Sequence, residues 1–199
     1  MSDWTSVQEI KTEWLRFETL KAGELYELLR FRQDIFVVEQ RSPYPDLDGL
    51  DETAWHLVAR AEEKIAGYLR LIPVTGSAPL VRIGRVAVSP FLRRRGLGRM
   101  LMETALGFCC ARYPQQPIAL GAQLHLATFY KLFGFKPVSE PYDDFGVPHI
   151  EMRLDCRDQP IGGAVTEPHA KPSSASRDRS VDRQDAVSIG LDGARSSQA

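Results

Sequence analysis

The chain has 199 residues, 43% of them hydrophobic and 26% charged, with a formal net charge of −1 at pH 7. That composition suits one globular domain with a core of useful size, alone or with a tail. A near-neutral chain lacks the basic excess of a dedicated nucleic-acid binder and has no electrostatic reason to sit on an acidic membrane.

The first nine residues are polar and carry acids, with no basic stretch ahead of an apolar run. No signal peptide is expected, no segment approaches the length of a membrane span, and the expected location is cytoplasmic. Residues 11–18 read as a first strand. Leu25, Leu28, Leu29, Arg32 and Phe36 recur at helical spacing, so a helix is expected over 22–36. Pro43 and Pro45 then enforce an extended loop that continues through Asp46, Asp48, Gly49 and Asp51. Residues 54–61 and 65–71 read as strands, joined by a turn at Glu62-Glu63-Lys64. Residues 80–88 are apolar and β-branched but interrupted by Gly84, which predicts a central strand with a bulge. A helix is expected from about Gly98 to about Arg112, a short buried strand at 118–122, and a helix over 124–133 ended by Gly134. Residues 135–138 and 149–154 read as a final strand pair, with 142–148 as the loop between them.

This order is a meander followed by a parallel crossover. It predicts an α/β class fold, a mixed and mostly antiparallel α+β sheet with helices on both faces. A ligand belongs at the carboxyl ends of the central strands, where neighbouring strands diverge. The three cysteines, Cys109, Cys110 and Cys156, are odd in number and form no CxxC spacing. They read as small apolar residues in a reducing compartment, without a disulfide framework and without a metal site. From Arg157 the chain turns rich in Ser, Asp, Arg, Gly and Pro and contains no aromatic residue. Such a segment cannot bury enough apolar surface to offset the entropy of ordering. The expected organisation is therefore a domain at 1–156 and a disordered tail at 157–199.

The densest chemical signal is Ile83-Gly84-Arg85-Val86-Ala87-Val88-Ser89-Pro90, then Arg93-Arg94-Arg95-Gly96-Leu97-Gly98-Arg99. A strand runs into an R-x-x-G-x-G turn and a helix follows at once. Gly96 and Gly98 let backbone N–H groups approach an anion closely, the helix N-terminus adds partial positive charge, and the arginines add fixed charge. In physical terms this is a pyrophosphate cradle. It has neither the Walker spacing nor the G-x-G-x-x-G dinucleotide fingerprint.

The turn resembles the coenzyme A signature of the GNAT acetyltransferase superfamily. Ala122-Gln123, Phe129-Tyr130 and Gly134-Phe135 resemble its second signature. Phe36-Val37-Val38-Glu39-Gln40, Pro43-Tyr44, Asp48-Gly49-Leu50-Asp51, His56, Ile83-Gly84-Arg85-Val86 and Pro148-His149-Ile150 together resemble the ElaA family within it. The resemblance covers about residues 14–154. It departs at Ser42, where many relatives carry Cys, and at Phe145, where they carry an acid.

The resemblance implies an N-acetyltransferase with acetyl-coenzyme A as cosubstrate and no metal. Backbone groups of Val86 and Val88 would pair with the pantetheine amides. N–H groups from Arg94 to Arg99 would hold the pyrophosphate, with Arg93, Arg94, Arg95, Gly96, Gly98 and Arg99 forming the cofactor site. Tyr130 occupies the position of the acid that protonates the leaving thiolate. Glu39 and His149 are the leading base candidates, with Asp46, Asp48, Asp51, His56 and His125 also open. The acids around residues 39–52 predict an acceptor amine that is cationic at neutral pH. The partners implied are that amine alone, with no nucleic acid and no membrane, for a monomer or homodimer. A non-catalytic acyl-coenzyme A binding module is the alternative.

Overall fold

The computed structural model describes residues 9–42 and 45–156. Four strands form an antiparallel meander: β1 (Ile10–Arg16), β2 (Trp55–Ala61), β3 (Lys64–Val74) and β4 (Leu80–Val88). The helix α2 (Leu97–Arg112) then carries the chain to β5 (Ile118–Gln123), which lies parallel to β4. After the short helix α3 (Ala127–Lys131) come β6 (Lys136–Pro137), β7 (Tyr142–Asp144) and β8 (Val147–Leu154). The sheet order is β1-β2-β3-β4-β5-β8-β6, with β7 paired to β8. Every pairing is antiparallel except β4 with β5, as the order of sequence patterns implies.

Strands β2 and β3 are nearly continuous buried runs because helices cover both faces. On one face Leu101, Met102, Ala105 and Cys109 of α2 pack with Leu57, Leu69, Leu71, Val81 and Ile83. On the other, Leu28 of helix α1 (Ala22–Gln33) packs with Val58, Ile65 and Tyr68. A fully buried Leu such as Leu101 contributes about 1.5–3 kcal/mol by leaving water, so the α2 layer holds much of the fold together.

Several boundaries differ from the sequence expectation. The first strand ends at Arg16, whose guanidinium donates to the carbonyls of Thr53 and Ala54 and ties the strand end to the next crossing. The helix expected through Phe36 is α-helical only to Gln33 and then widens into a π-turn over Asp34–Glu39. Gln40 N–H reaches the Ile35 carbonyl at 3.3 Å and Ser42 N–H the Val37 carbonyl at 3.2 Å. Such i→i+5 bonding changes which side chains share a face and recurs at functional sites. The helix expected over 124–133 is a 3₁₀ turn, Leu124–Leu126, followed by the shorter α3.

The loop expected at 142–148 is a hairpin. Phe145 and Gly146 take φ of 51° and 82°, the paired positive values of a two-residue type I′ turn between β7 and β8. A three-residue strand offers too little alternation to be read from sequence. The cysteine expectation is also corrected: Cys110 and Cys156 form a disulfide across a Cα separation of 5.3 Å. Nothing in their spacing signals it, because the fold alone brings the last turn of α2 to the end of β8. Cys109 stays a buried thiol, and burial pushes its pKa up. The tail expected at 157–199, like Pro43 and Tyr44, lies outside the described residues. Among those described, no helix is long and apolar enough to cross a membrane.

Candidate active site

The site begins with a fault in β4. Tyr68 pairs with Ala87 and Arg70 with Gly84, so two steps along β3 answer three along β4. The extra residue is the bulge expected near Gly84, and Arg85 carries it at φ 53°. Beyond it β4 and β5 separate: their pairing ends at Arg82↔Ala119, although β4 runs on to Val88 and β5 to Gln123. The edge of β4 at Val86 and Val88 is therefore left without β5 as a partner.

At the end of β4 the chain enters the glycine turn. Arg94 and Gly96 both take left-handed backbone, at φ 61° and 84°. Gly96 is the N-cap of α2 and supplies no side-chain cap. The N–H groups of Leu97, Gly98 and Arg99 in the first turn thus have no intrahelical acceptor. A Cβ on Gly98 would sit 3.7 Å from Val88 and 3.8 Å from Phe129, so only a larger side chain would crowd the turn. Unsatisfied donors, helix dipole and flanking arginines make this a concave site that fits a pyrophosphate. Arg99 is held by Glu103 four residues on at 2.8 Å.

A cleft of about 350 Å³ runs into the gap between β4 and β5. Its walls include Ile83, Leu120 and Tyr130 from the α2 side of the sheet, and Arg82, Gly121 and His149 from the other side. Tyr130 on α3 is buried against Phe129 and Phe135, with ring centroids at 5.2 and 6.2 Å. Burial pushes its pKa up to about 12, so the hydroxyl keeps its proton at any ordinary pH. His149 opens onto the same cleft from β8. Its Nδ1 lies 2.8 Å from the Val147 carbonyl, which can only accept, so Nδ1 carries the proton and Nε2 of the neutral ring is an acceptor. Asp144 stands 4.0 Å from the same Nδ1.

The other sequence candidates are distributed differently. Glu39 faces the glycine turn rather than the cleft, and both its oxygens are held by Arg93, at 2.6 and 2.9 Å. Arg93 Nε also donates to the Val88 carbonyl at 3.1 Å, so the end of the π-turn is tied to the start of the glycine turn. His56 is fully buried between the Tyr68 hydroxyl (2.7 Å) and the Asp51 carbonyl (3.0 Å), and desolvation lowers its pKa. It is a structural histidine. His125 is exposed on the turn before α3.

The acids of the 46–51 loop do not form an open acidic mouth. Arg32, fully buried on α1, binds Asp46 and Asp51. Arg70 of β3 binds Asp48 and Asp51. Arg85 of the bulge binds Asp46 and Asp48. Burial alone would raise the Asp48 carboxyl, but the hydrogen bonds from Arg70 and the Leu50 N–H prevail and lower it to about 2.

Sequence reasoning did not single out Arg82, Gly121 or Tyr142. A Cβ on Gly121 would sit 2.9 Å from the Tyr142 hydroxyl, so the absence of a side chain there lets Tyr142 lie over β5. The Tyr142 ring stacks on His149 at a centroid distance of 6.1 Å. The only sequence signal for this contact was a lone glycine in a short buried strand. Among the described residues, no group of three or more His, Cys, Asp or Glu is placed to hold a metal ion.

Comparison with known proteins agrees with this architecture. Residues 34–156 match the family model described as "Acetyltransferase (GNAT) domain". Protein ElaA of Escherichia coli K12 is 42% identical over 144 residues, which is 70% of this chain and 94% of that protein. The crystal structure of Escherichia coli ElaA superposes with a TM-score of 0.70 at 40% identity, covering 74% of this chain and all of that one. An acyl-CoA N-acyltransferase from Pseudomonas aeruginosa superposes with a TM-score of 0.68, also at 40% identity, covering 73% of this chain and 99% of that one.

Proposed function

This chain belongs to the ElaA-like family of GNAT acyltransferases, and on that premise we propose that it transfers the acetyl group of acetyl-coenzyme A to a primary amine by direct attack in a ternary complex. The observation that carries this reading is the opening between β4 and β5, which has Tyr130 and His149 on its walls, while Gly98 of the glycine turn lies beside Val88 at the end of β4.

When bound, acetyl-coenzyme A supplies an activated thioester. The chain supplies everything else. The edge of β4 that β5 leaves open at Val86 and Val88 offers backbone groups for the pantetheine amides, with the Val88 carbonyl also taken by Arg93 Nε, and the first N–H groups of α2 serve the pyrophosphate, flanked by Arg93, Arg94, Arg95 and Arg99. A backbone N–H of the β4 bulge serves the negative charge that develops on the carbonyl oxygen. Tyr130 donates its hydroxyl proton to the leaving sulfur, which its raised pKa permits at any working pH. His149 Nε2 accepts the proton released by the attacking amine, because Val147 holds the ring in the required tautomer. Glu39, with both oxygens on Arg93, contributes by fixing the turn rather than as a base.

The acceptor is read as an amine that is cationic at neutral pH. Asp46, Asp48 and Asp51 are compensated by arginines, so this reading rests on Asp144, which lines the cleft beside His149. An acid there steers an ammonium group to the mouth of the cleft before deprotonation. Transfer is then expected to rise with pH as the amine loses its proton. The test is turnover of acetyl-coenzyme A, followed by thiol release, against a panel of polyamines, amino acids and peptide N-termini. Saturable thiol release with a cationic amine, and a raised KM for that amine in Asp144→Asn, is the expected result. Tight cofactor binding without turnover on any amine would instead favour a binding module.

A further inference from the structure

The residue at the bulge of β4 is an arginine, and arginine is a poor choice for that backbone. A non-glycine residue in the left-handed region is strained relative to ordinary backbone, and such outliers persist only when the surroundings over-determine them. The surroundings here do so. Arg85 Nε donates to Asp46 Oδ1 at 2.7 Å, and one terminal nitrogen donates to the Asp46 carbonyl and to Asp48 Oδ2, each at 3.1 Å. The guanidinium lies 5.9 Å from the Phe36 ring at the π-turn. Each acid is anchored in turn, Asp46 by the fully buried Arg32 and Asp48 by Arg70. The bulge is thus clamped through the 46–51 loop to α1 and to β3.

We propose that Arg85 is a positioning residue for acyl transfer: its clamp on Asp46 and Asp48 holds the β4 bulge in the one backbone geometry that keeps β4 and β5 apart and aims the bulge N–H at the thioester carbonyl. The inference rests on the acyl-transfer reading above and adds that the acidic loop acts through Arg85 rather than on the acceptor. A contact that sets donor direction acts mainly in the transition state, where small misplacements are costly, and so appears in kcat. The pyrophosphate cradle lies eleven residues further on and has its own donors, so that share of the cofactor affinity is set away from Arg85.

The test compares parent and Arg85→Gly, since glycine takes the left-handed backbone freely but makes no clamp. Acetyl-coenzyme A binding is measured by calorimetry, and kcat and the acceptor KM by thiol release on the best amine of the panel. The expected result is a fall in kcat of about 10-fold or more, with the cofactor Kd and the acceptor KM within about threefold. Unchanged kcat overturns the proposal, as does a loss carried wholly by a weaker Kd or a raised KM. If Arg85→Gly does not fold, Arg85→Gln is read by the same criteria, because it keeps the stem and removes the charged fork. A parent that binds the cofactor but turns over no amine sinks the acyl-transfer reading itself, an outcome distinct from a variant that matches an active parent.

Discussion

The two walls of the site are built by opposite means. At the glycine turn, a contiguous segment offers backbone N–H groups at a helix start, in the open, with arginines around it. Around the 46–51 loop, three arginines and three aspartates from α1, the loop itself, β3 and β4 are interlocked and largely buried. A backbone cradle tolerates changes in side chains but not in backbone freedom. An ionic lattice behaves the other way round, because each charge removed strands another in low dielectric. Changes on the first wall should alter binding without altering stability, and changes in the second should cost stability first.

The largest effect is expected at Arg32. Removing it leaves Asp46 and Asp51 short of a buried partner, which typically costs about 3–5 kcal/mol. Arg32→Ala should lower the melting temperature by roughly 10 °C. A shift of less than about 2 °C would break the contrast between the walls. Next comes Gly98→Val, whose branched side chain meets Val88 and Phe129 at the cradle. Its acetyl-coenzyme A Kd should rise about 10-fold or more, equivalent to about 1.4 kcal/mol, while the melting temperature holds. Parent-like affinity by calorimetry would show that the cradle lies elsewhere.

A smaller effect separates the walls by pH. The Asp48 carboxyl is lowered in the fold to about 2, so its contribution to stability is complete above the ordinary carboxylate range and is lost as pH falls through about 2. Acid unfolding of Asp48→Asn should therefore be shallower than that of the parent. Parallel acid-unfolding curves would mean that the loop lattice does not titrate as a unit. The smallest effect is expected at Glu39. With both oxygens on Arg93, Glu39→Gln should change the cofactor Kd and kcat by no more than about threefold, since a half-exposed pair contributes little. A collapse in kcat with Kd held would return Glu39 to the role of base.

The same contrast explains what the sequence made legible. The glycine turn was readable because its parts are adjacent in the chain: a β-branched strand, a bulge marked near Gly84, then Gly96 and Gly98 opening a helix. The family was readable through this turn and through a second local signature around Tyr130 on α3. The Arg–Asp lattice was not. Asp46, Asp48 and Asp51 looked like an open acidic loop, since the arginines that neutralise them lie 14 to 39 residues away in the chain. The hairpin that brings Tyr142 onto His149 was hidden by its short strand, and the Cys110–Cys156 link by the sequence separation of 46 between its ends. Long-range pairing leaves no local pattern in the sequence, whereas a strand, a glycine turn and a helix start in succession do.

The central claim is acyl transfer with Tyr130 as the acid, and one substitution addresses it directly. Tyr130→Phe keeps the ring that packs on Phe129 and Phe135 and removes only the proton. Single-turnover transfer to the best acceptor, measured beside calorimetric binding of acetyl-coenzyme A, should slow by about 10-fold or more while Kd stays within about twofold. Equal single-turnover rates in parent and Tyr130→Phe would contradict the account.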